Sequence, residues 1–223
     1  LVKLTHTEED YLRAIFNLTE RNRGTASTSD IARSLGTSAA SVTDMIGRLS
    51  EKGFLKYKKY YGVQLSPPGI KAATQLIRSE RLWKVFLSEK LDIPWERISS
   101  IAQKLKHVRS DELIENLSAF LDHPRYDPHG EAIPNREGRF TLRTQNPLFN
   151  LQKGDKGILV GVRNHNDTFL QFLSSQKLTI GATLQVLNTM EFDFSKEVLI
   201  NGQDKVVLSA KICHELYVRQ RNP

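Results

Sequence analysis

The chain has 223 residues, 39% of them apolar and 26% charged, enough for packed cores and for two or three small domains. The single cysteine, Cys213, excludes an intrachain disulfide framework and suits a reducing cytoplasm, and no apolar run approaches membrane-span length. The opening residues LVKLTHTEED lack the apolar core of a secretion signal, so the expectation is a cytoplasmic protein with no membrane partner. Net charge is +7 and unevenly spread: Arg48 to Lys84 holds nine basic residues against two acidic ones, Glu51 and Glu80. Such a block suits a polyanionic partner, although a charge run is more often only a solvated face.

In chain order, THTEEDYLRAIFNLTE predicts a first helix opened by a capping box of Thr7 with Asp10. STSDIARSLG predicts a short second helix ending at Gly36, and SAASVTDMIGRLSEKG a third, with Val42, Met45, Ile46 and Leu49 at helical spacing and a stop at Gly53. FLKYKK and GVQLS flank a tyrosine pair as two short strands. Three further helices are expected: from Pro68 to about Lys90, from Pro94 to about Lys106, and from an N-cap at Ser110 to Leu121. The stretch DHPRYDPHGEAIPNREG reads as an ordered loop leading into a linker. From about Phe149 the texture changes to short strands, KGILVGV, ATLQVLNTM, EVLING, KVVLSA and ELYV, which suits a small β-barrel. The fold class is therefore α+β, divided as 1–73, a helical part 74–135, a linker 136–148 and a barrel 149–223.

The first segment carries the strongest functional signal. A short helix, a tight turn at GTS and a helix with small residues at its N-terminal end make a helix-turn-helix. Thr37, Ser38, Ala39, Ala40, Ser41, Thr43, Asp44 and Arg48 are the candidate DNA contacts, because short side chains leave room for base edges. Ser38 also caps the helix and would aim its N–H groups and positive dipole end at a phosphate. The strand pair then reads as a wing whose tip, Lys58, Lys59 and Tyr60, reaches the duplex backbone. The plain alternative, a three-helix packing module with a solvated basic loop, is weakened by the wing and the charge block together. An enzyme is not expected, and neither is a small-molecule substrate. Cys213 and His214, as neighbours on a strand, would point to opposite faces, and GDKGILVG lacks the lysine-serine ending of a phosphate loop.

Four segments in order, TEEDYLRAIFNL, SDIARSLGTSAASVTDMIGRLSEKGFL, YGVQLSPPGIKAA and DPHGEAIP, resemble the diphtheria toxin repressor family of iron- or manganese-dependent bacterial transcriptional repressors. The resemblance covers nearly the whole chain, and its most specific part is DPHG.AIP after a helical middle domain. It implies a winged-helix DNA-binding domain, a helical dimerisation domain and a flexibly attached SH3-like (FeoA-like) barrel. It also implies a homodimer on a palindromic double-stranded operator, with Mn2+ or Fe2+ as cofactor.

The same resemblance implies two metal sites, and this chain departs from both. At the first, Asp10 matches the acid of the manganese branch, Arg13 stands where a second acid is expected, and Glu80 replaces a histidine. Gln103, Lys106 and His107 stand where the fifth helix supplies a cysteine or glutamate and then a glutamate-histidine pair. At the second, Lys84 replaces a glutamate, Asp127 and His129 fill the loop motif, and His165 or Asp167 would be the barrel ligand. A lysine beside a divalent ion repels it. The structural alternative keeps Asp10 in its capping box, His129 in its turn and His107 at its helix end. The expectation drawn from this is an ion-pair substitute in which Lys106 faces Asp10 and Arg13 reaches Glu80. If buried, breaking such a pair costs about 3–5 kcal/mol. Two functional readings follow: a repressor of the metal-dependent type, or a metal-independent regulator or protein-interaction module that retains the fold. A DNA-binding assay in chelator separates them.

Overall fold

The first helix begins earlier than the sequence pattern places it. In the computed structural model, which describes residues 4–21, 24–58, 62–108, 110–141 and 146–220, helix α1 spans His6–Arg21. Its capping box is Thr5 with Glu8, not Thr7 with Asp10. The Glu8 N–H donates to Thr5 Oγ1 at 3.3 Å and the Thr5 N–H donates to Glu8 Oε2 at 2.9 Å. That shift frees Asp10 from capping. Contacts divide the chain into two compact units: Leu1–Glu80 with Lys104–Ile114 and Pro134–Phe140, and Arg81–Gln103 with Glu115–Ile133 and Thr141–Pro223.

In the first unit, α2 (Thr28–Leu35) and α3 (Ala39–Glu51) follow α1, and β1 (Leu55–Lys58) pairs antiparallel with β2 (Gly62–Leu65). Each helix end is chemically fixed. Ser27 accepts from Asp30 N–H, Gly36 closes α2 in the left-handed region at φ 63°, and Ser38 accepts from Ser41 N–H. The apolar face of every element meets one core, with Leu12, Ile15, Ile31, Val42, Ile46, Leu49 and Val63 buried in it. Phe140 returns to stack on Phe16, with centroids 5.9 Å apart. The wing-tip residues Lys59 and Tyr60, and the Lys58 side chain, lie outside the described residues.

Helix α4 (Pro67–Glu89) is followed by α5 (Trp95–Leu105) and α6 (Asp111–Phe120), the last capped by Ser110, which accepts from Leu113 N–H. The second unit contains a six-stranded antiparallel sheet in the order β3-β8-β4-β5-β6-β7. These strands span Asn146–Pro147 (β3), Lys156–Val162 (β4), Thr183–Thr189 (β5), Lys196–Ile200 (β6), Asp204–Leu208 (β7) and Leu216–Gln220 (β8). Two helices that the strand pattern concealed close its core: α7 (Asp167–Ser175), capped by Asn166, and α8 (Ala210–Glu215), capped by Ser209. Cys213 and His214 therefore sit on a helix, not on a strand. Burial pushes the Cys213 thiol up to about 11, and His214 stacks on Phe149 instead. The segment expected as a linker holds a hydrogen-bonded turn, where Gly138 N–H donates to Asn135 O, and the strand β3.

The DPHG loop is held against this sheet. Val162 N–H donates to His129 O, and Gly130 sits at φ 81° with its Cα so near β4 that a Cβ would lie 2.1 Å from Val160 O. Only glycine fits both demands. Gly130→Ala is accordingly expected to cost roughly 2–5 kcal/mol, combining backbone strain with overpacking. Gly154→Ala, at φ 93° but facing open space, should cost only about 1 kcal/mol of strain. Urea denaturation of the two variants checks the difference.

Candidate nucleic-acid interface and the ion pairs behind it

The outward surface of α3 is made of short side chains. Ser38, Ala39, Ala40, Ser41, Thr43, Asp44 and Arg48 are all exposed, Thr37 is half-buried, and Val42, Ile46 and Leu49 on the opposite side anchor the helix. Three of the candidate hydroxyls already have local partners: Thr43 donates to Ala39 O at 2.9 Å, and Ser38 and Ser41 share a 2.9 Å hydrogen bond. Gly47, one turn on from Thr43 and Asp44, is exposed and has nothing near the position a Cβ would take. This face is thus low and smooth, with Arg48 as its long cation. Gly62, at the wing, would place a Cβ 2.9 Å from Ala26 O, which keeps the hairpin flush against the Ala26 bridge.

Behind this surface, successive carboxylates of α1 each meet a different cation or imidazole, since consecutive helix residues point about 100° apart. Glu8 Oε1 accepts from Lys52 Nζ at 2.6 Å, joining α1 to the end of α3. Burial would raise the Glu8 pKa, but the lysine and the Thr5 bonds hold it below the usual carboxylate range. Glu9 Oε2 lies 2.5 Å from His107 Nδ1. Asp10 Oδ1 lies 2.7 Å from Lys106 Nζ and 3.7 Å from His107 Nε2. One turn later, Arg13 donates to Glu80 Oε1 on α4 at 2.8 Å.

Lys106 and Arg13 therefore stand against the two carboxylates expected from α1 and α4 at the first metal position. Lys106 is buried, but 42% of the Asp10 side chain remains exposed, so screening reduces this pair's energy below that of a fully buried one. Gln103 lies exposed on α5. With one carboxylate held by an ammonium and the other by a guanidinium, this donor set does not fit a divalent ion. Of the residues that matter here, Glu8, Glu9, Lys52 and His6 went unread in the sequence. The legible signal was the run of acids ahead of an apolar helix face.

The second expected position is also occupied by a lysine. Lys84 Nζ donates to Asp127 Oδ2 and to Glu131 Oε2, both at 3.1 Å, and its side chain and that of Asp127 are essentially fully buried. Asp127 Oδ1 accepts from the N–H groups of His129 and Glu131, so one carboxylate shapes the loop and neutralises the lysine. Arg81 donates to Glu131 Oε1 at 2.9 Å and to the carbonyl of Ala132. Burial would raise the Glu131 pKa, but Lys84 and Arg81 outweigh it and hold the carboxyl well below its usual range. His129 Nε2 donates to Trp95 O at 2.9 Å, its ring stacks on His165 with centroids 4.9 Å apart, and His165 Nε2 donates to Val162 O. Asp167 is the exposed first residue of α7. These residues fit an ion-paired staple and not a metal. Glu131, its second acid, was missed because the loop motif draws attention only to Asp127 and His129.

Three family models match in order: "Iron dependent repressor, N-terminal DNA binding domain" over residues 3–63, "Iron dependent repressor, metal binding and dimerisation domain" over 66–135, and "FeoA domain" over 146–220. The chain is 31% identical over 119 residues to an uncharacterized HTH-type transcriptional regulator of Methanocaldococcus jannaschii, covering 53% of this chain and 95% of that one. It is 33% identical over 114 residues to the HTH-type transcriptional regulator MntR of Lysinibacillus sphaericus, covering 51% and 81%. Among solved structures it is similar to a manganese-dependent transcriptional repressor in complex with manganese. The TM-score is 0.82 at 27% identity, covering 96% of this chain and all of that one.

Two outcomes test the buried staple. Lys84→Ala leaves the Asp127 carboxylate buried without its cation and should destabilise the chain by about 3–5 kcal/mol. Lys177→Ala, which breaks the exposed pair with Asp204, should stay within about 1 kcal/mol in the same denaturation assay. The second outcome concerns pH. Burial and then the Lys84 ammonium lower the His129 pKa to about 4, with Asp127 and the Trp95 carbonyl opposing and His165 adding to the shift. The unfolded chain takes up that proton near ~6.5 and the folded chain only near 4. Stability is therefore full above pH 6.5 and falls through this window by roughly 3 kcal/mol. Glu131, with its lowered pKa, adds a further loss below the usual carboxylate range. Melting curves from pH 7.5 to 4.5 should show the decline, and His129→Gln should flatten its upper part.

Proposed function

Because the chain belongs to the diphtheria toxin repressor family of iron- and manganese-dependent regulators, whose members are DNA-binding transcriptional repressors and not enzymes, we propose that it is a cytoplasmic homodimer that binds a palindromic double-stranded operator through α3 and the wing. The observation that carries this reading is the exposed, short-side-chain face from Ser38 to Arg48 on a helix with its N-terminal end capped and free of acidic residues in its first turn. Base edges are read from Ser41, Thr43, Asp44 and Arg48, while Ser38, Lys58 and Lys59 hold phosphates. Among the described residues, no helix is long and apolar enough to cross a membrane.

The relatives are named for iron and manganese, but at both positions where the resemblance implies an ion this chain carries a lysine in contact with the would-be ligands. The functional reading therefore assigns the work of the first ion to side chains. Lys106–Asp10 and Arg13–Glu80 tie α1 to the end of α5 and to α4 without a cofactor at that position. Much of the apolar surface of α4 and α5 is used within the chain. Val85 and Ile98 are fully buried and Trp95 packs on the sheet core, donating from Nε1 to Ser174 Oγ at 2.7 Å. Leu91, Leu113 and Phe120, exposed around the helices α4 to α6, are among the apolar side chains available to a second copy.

Selection of bound duplexes from a random library, followed by titration with and without chelator, tests the reading. Wild-type protein is expected to retain its affinity in chelator within about threefold, and Lys106→Glu, which recreates an acid-histidine pair, should acquire a requirement for Mn2+. Loss of wild-type binding in chelator with full recovery on adding Mn2+, and the same behaviour in Lys106→Ala, would remove the ion-pair substitute. Ser41→Glu should abolish specific binding. A Lys58→Ala, Lys59→Ala double variant should weaken all sequences alike and lower the salt slope by about two units. Phe120→Asp should shift the sedimenting species from dimer to monomer.

A further inference from the structure

We infer that His6, Glu9 and His107 form a metal site for a borderline divalent transition ion of the zinc class, separate from the position held by Lys106. Among the described residues these three make the group of side chains able to hold an ion, their ligand atoms all lying within 4.8 Å of one another. The spacing follows from the helix. His6 and Glu9 are three apart in the first turn of α1 and share a face, and His107, just past the end of α5, is set against that face. The His6 and His107 rings stack 4.2 Å apart at 17°, and Glu9 Oε2 meets His107 Nδ1.

The donor set is two neutral imidazoles and one carboxylate, which leaves positions open for water and suits zinc-like ions better than hard ones. An ion bound between Glu9 Oε2 and His107 Nδ1 would take the place of the hydrogen bond between them. The other ring nitrogen of His107 then faces Asp10, whose Oδ1 is 3.7 Å away. A carboxylate behind a ligating histidine fixes its tautomer and raises its basicity. Asp10 can do this because Lys106 steadies it. His6 is exposed and is the ligand that moves, closing the last distance to roughly the ~2.1 Å that imidazole-zinc bonds need. The ion would lock the start of α1 to the segment after α5, beside the ion pair and without displacing it.

The test needs no DNA, so its result is independent of how the operator is bound. Full-length protein freed of metal with chelator and dialysed is titrated with Zn2+ by calorimetry, and with Co2+ by visible absorption. The expected result is one ion per chain, a Co2+ spectrum showing nitrogen ligation, and a melting temperature that rises with Zn2+. His6→Ala removes an exposed ligand without touching the core, and should weaken Zn2+ binding at least tenfold, roughly what loss of a group supporting a metal costs. Glu9→Gln should do the same, and His214→Ala should change nothing. If the wild type takes up no Zn2+, or if its affinity is the same in His6→Ala and Glu9→Gln, the site does not exist. An ion that is lost only when His129 or His165 is replaced belongs elsewhere and equally overturns the inference.

Discussion

One turn of α1 must find partners for three adjacent carboxylates, and most of the arrangement around it follows from that demand. A helix cannot point Glu8, Glu9 and Asp10 in one direction, so each meets a different side chain: Lys52 after α3 for Glu8, and His107 and Lys106 after α5 for Glu9 and Asp10. Moving any of these elements leaves a charge short of its partner, and Glu8 and Glu9 are too buried for water to compensate fully. Helix α3 is thereby referenced to α1 at its C-terminal end, through Lys52, while its first turn stays free of acidic residues.

The second unit uses the same chemistry in a drier place. Lys84, Asp127 and Glu131 make an ion triad with Arg81 at its edge, and Asp127 spends its other oxygen on two backbone N–H groups of the loop. Because nearly every donor and acceptor is matched, the triad specifies one loop conformation. That conformation brings Gly130 against β4 and His129 beneath Trp95. Where relatives are named for metal dependence, this chain places ammonium groups at both corresponding positions, and in both the ammonium bridges elements adjacent in space but distant in sequence.

The architecture was legible because the helical periodicities in the first half are strong, the caps at Ser38 and Ser110 are chemically explicit, and the alternation in β5 and β6 is regular. Helices α7 and α8 were not legible. Their apolar runs are short enough to read as strand, and only Asn166 and Ser209 mark their starts. At the site, facing Lys106 with Asp10 and Arg13 with Glu80 needed only the helix order supplied by the family resemblance. His6 and Glu9 could not be found that way. Their role depends on the first turn starting at His6, and the capping box was assigned two residues too late. One misplaced cap moved the attention of the sequence reading from one helix face to the next.

Gly47 leaves a blank in the middle of the exposed face of α3. It costs its helix about 1 kcal/mol relative to alanine, and nothing in the fold repays that, since the space above it is empty. A side chain other than proline could stand there without meeting a neighbour. Gly47→Ala would regain that helix propensity, and on the proposed operator contact its added methyl group would fall within the face turned to the duplex. On the proposed operator contact, the blank lets a duplex approach the backbone of α3 more closely than any side chain would.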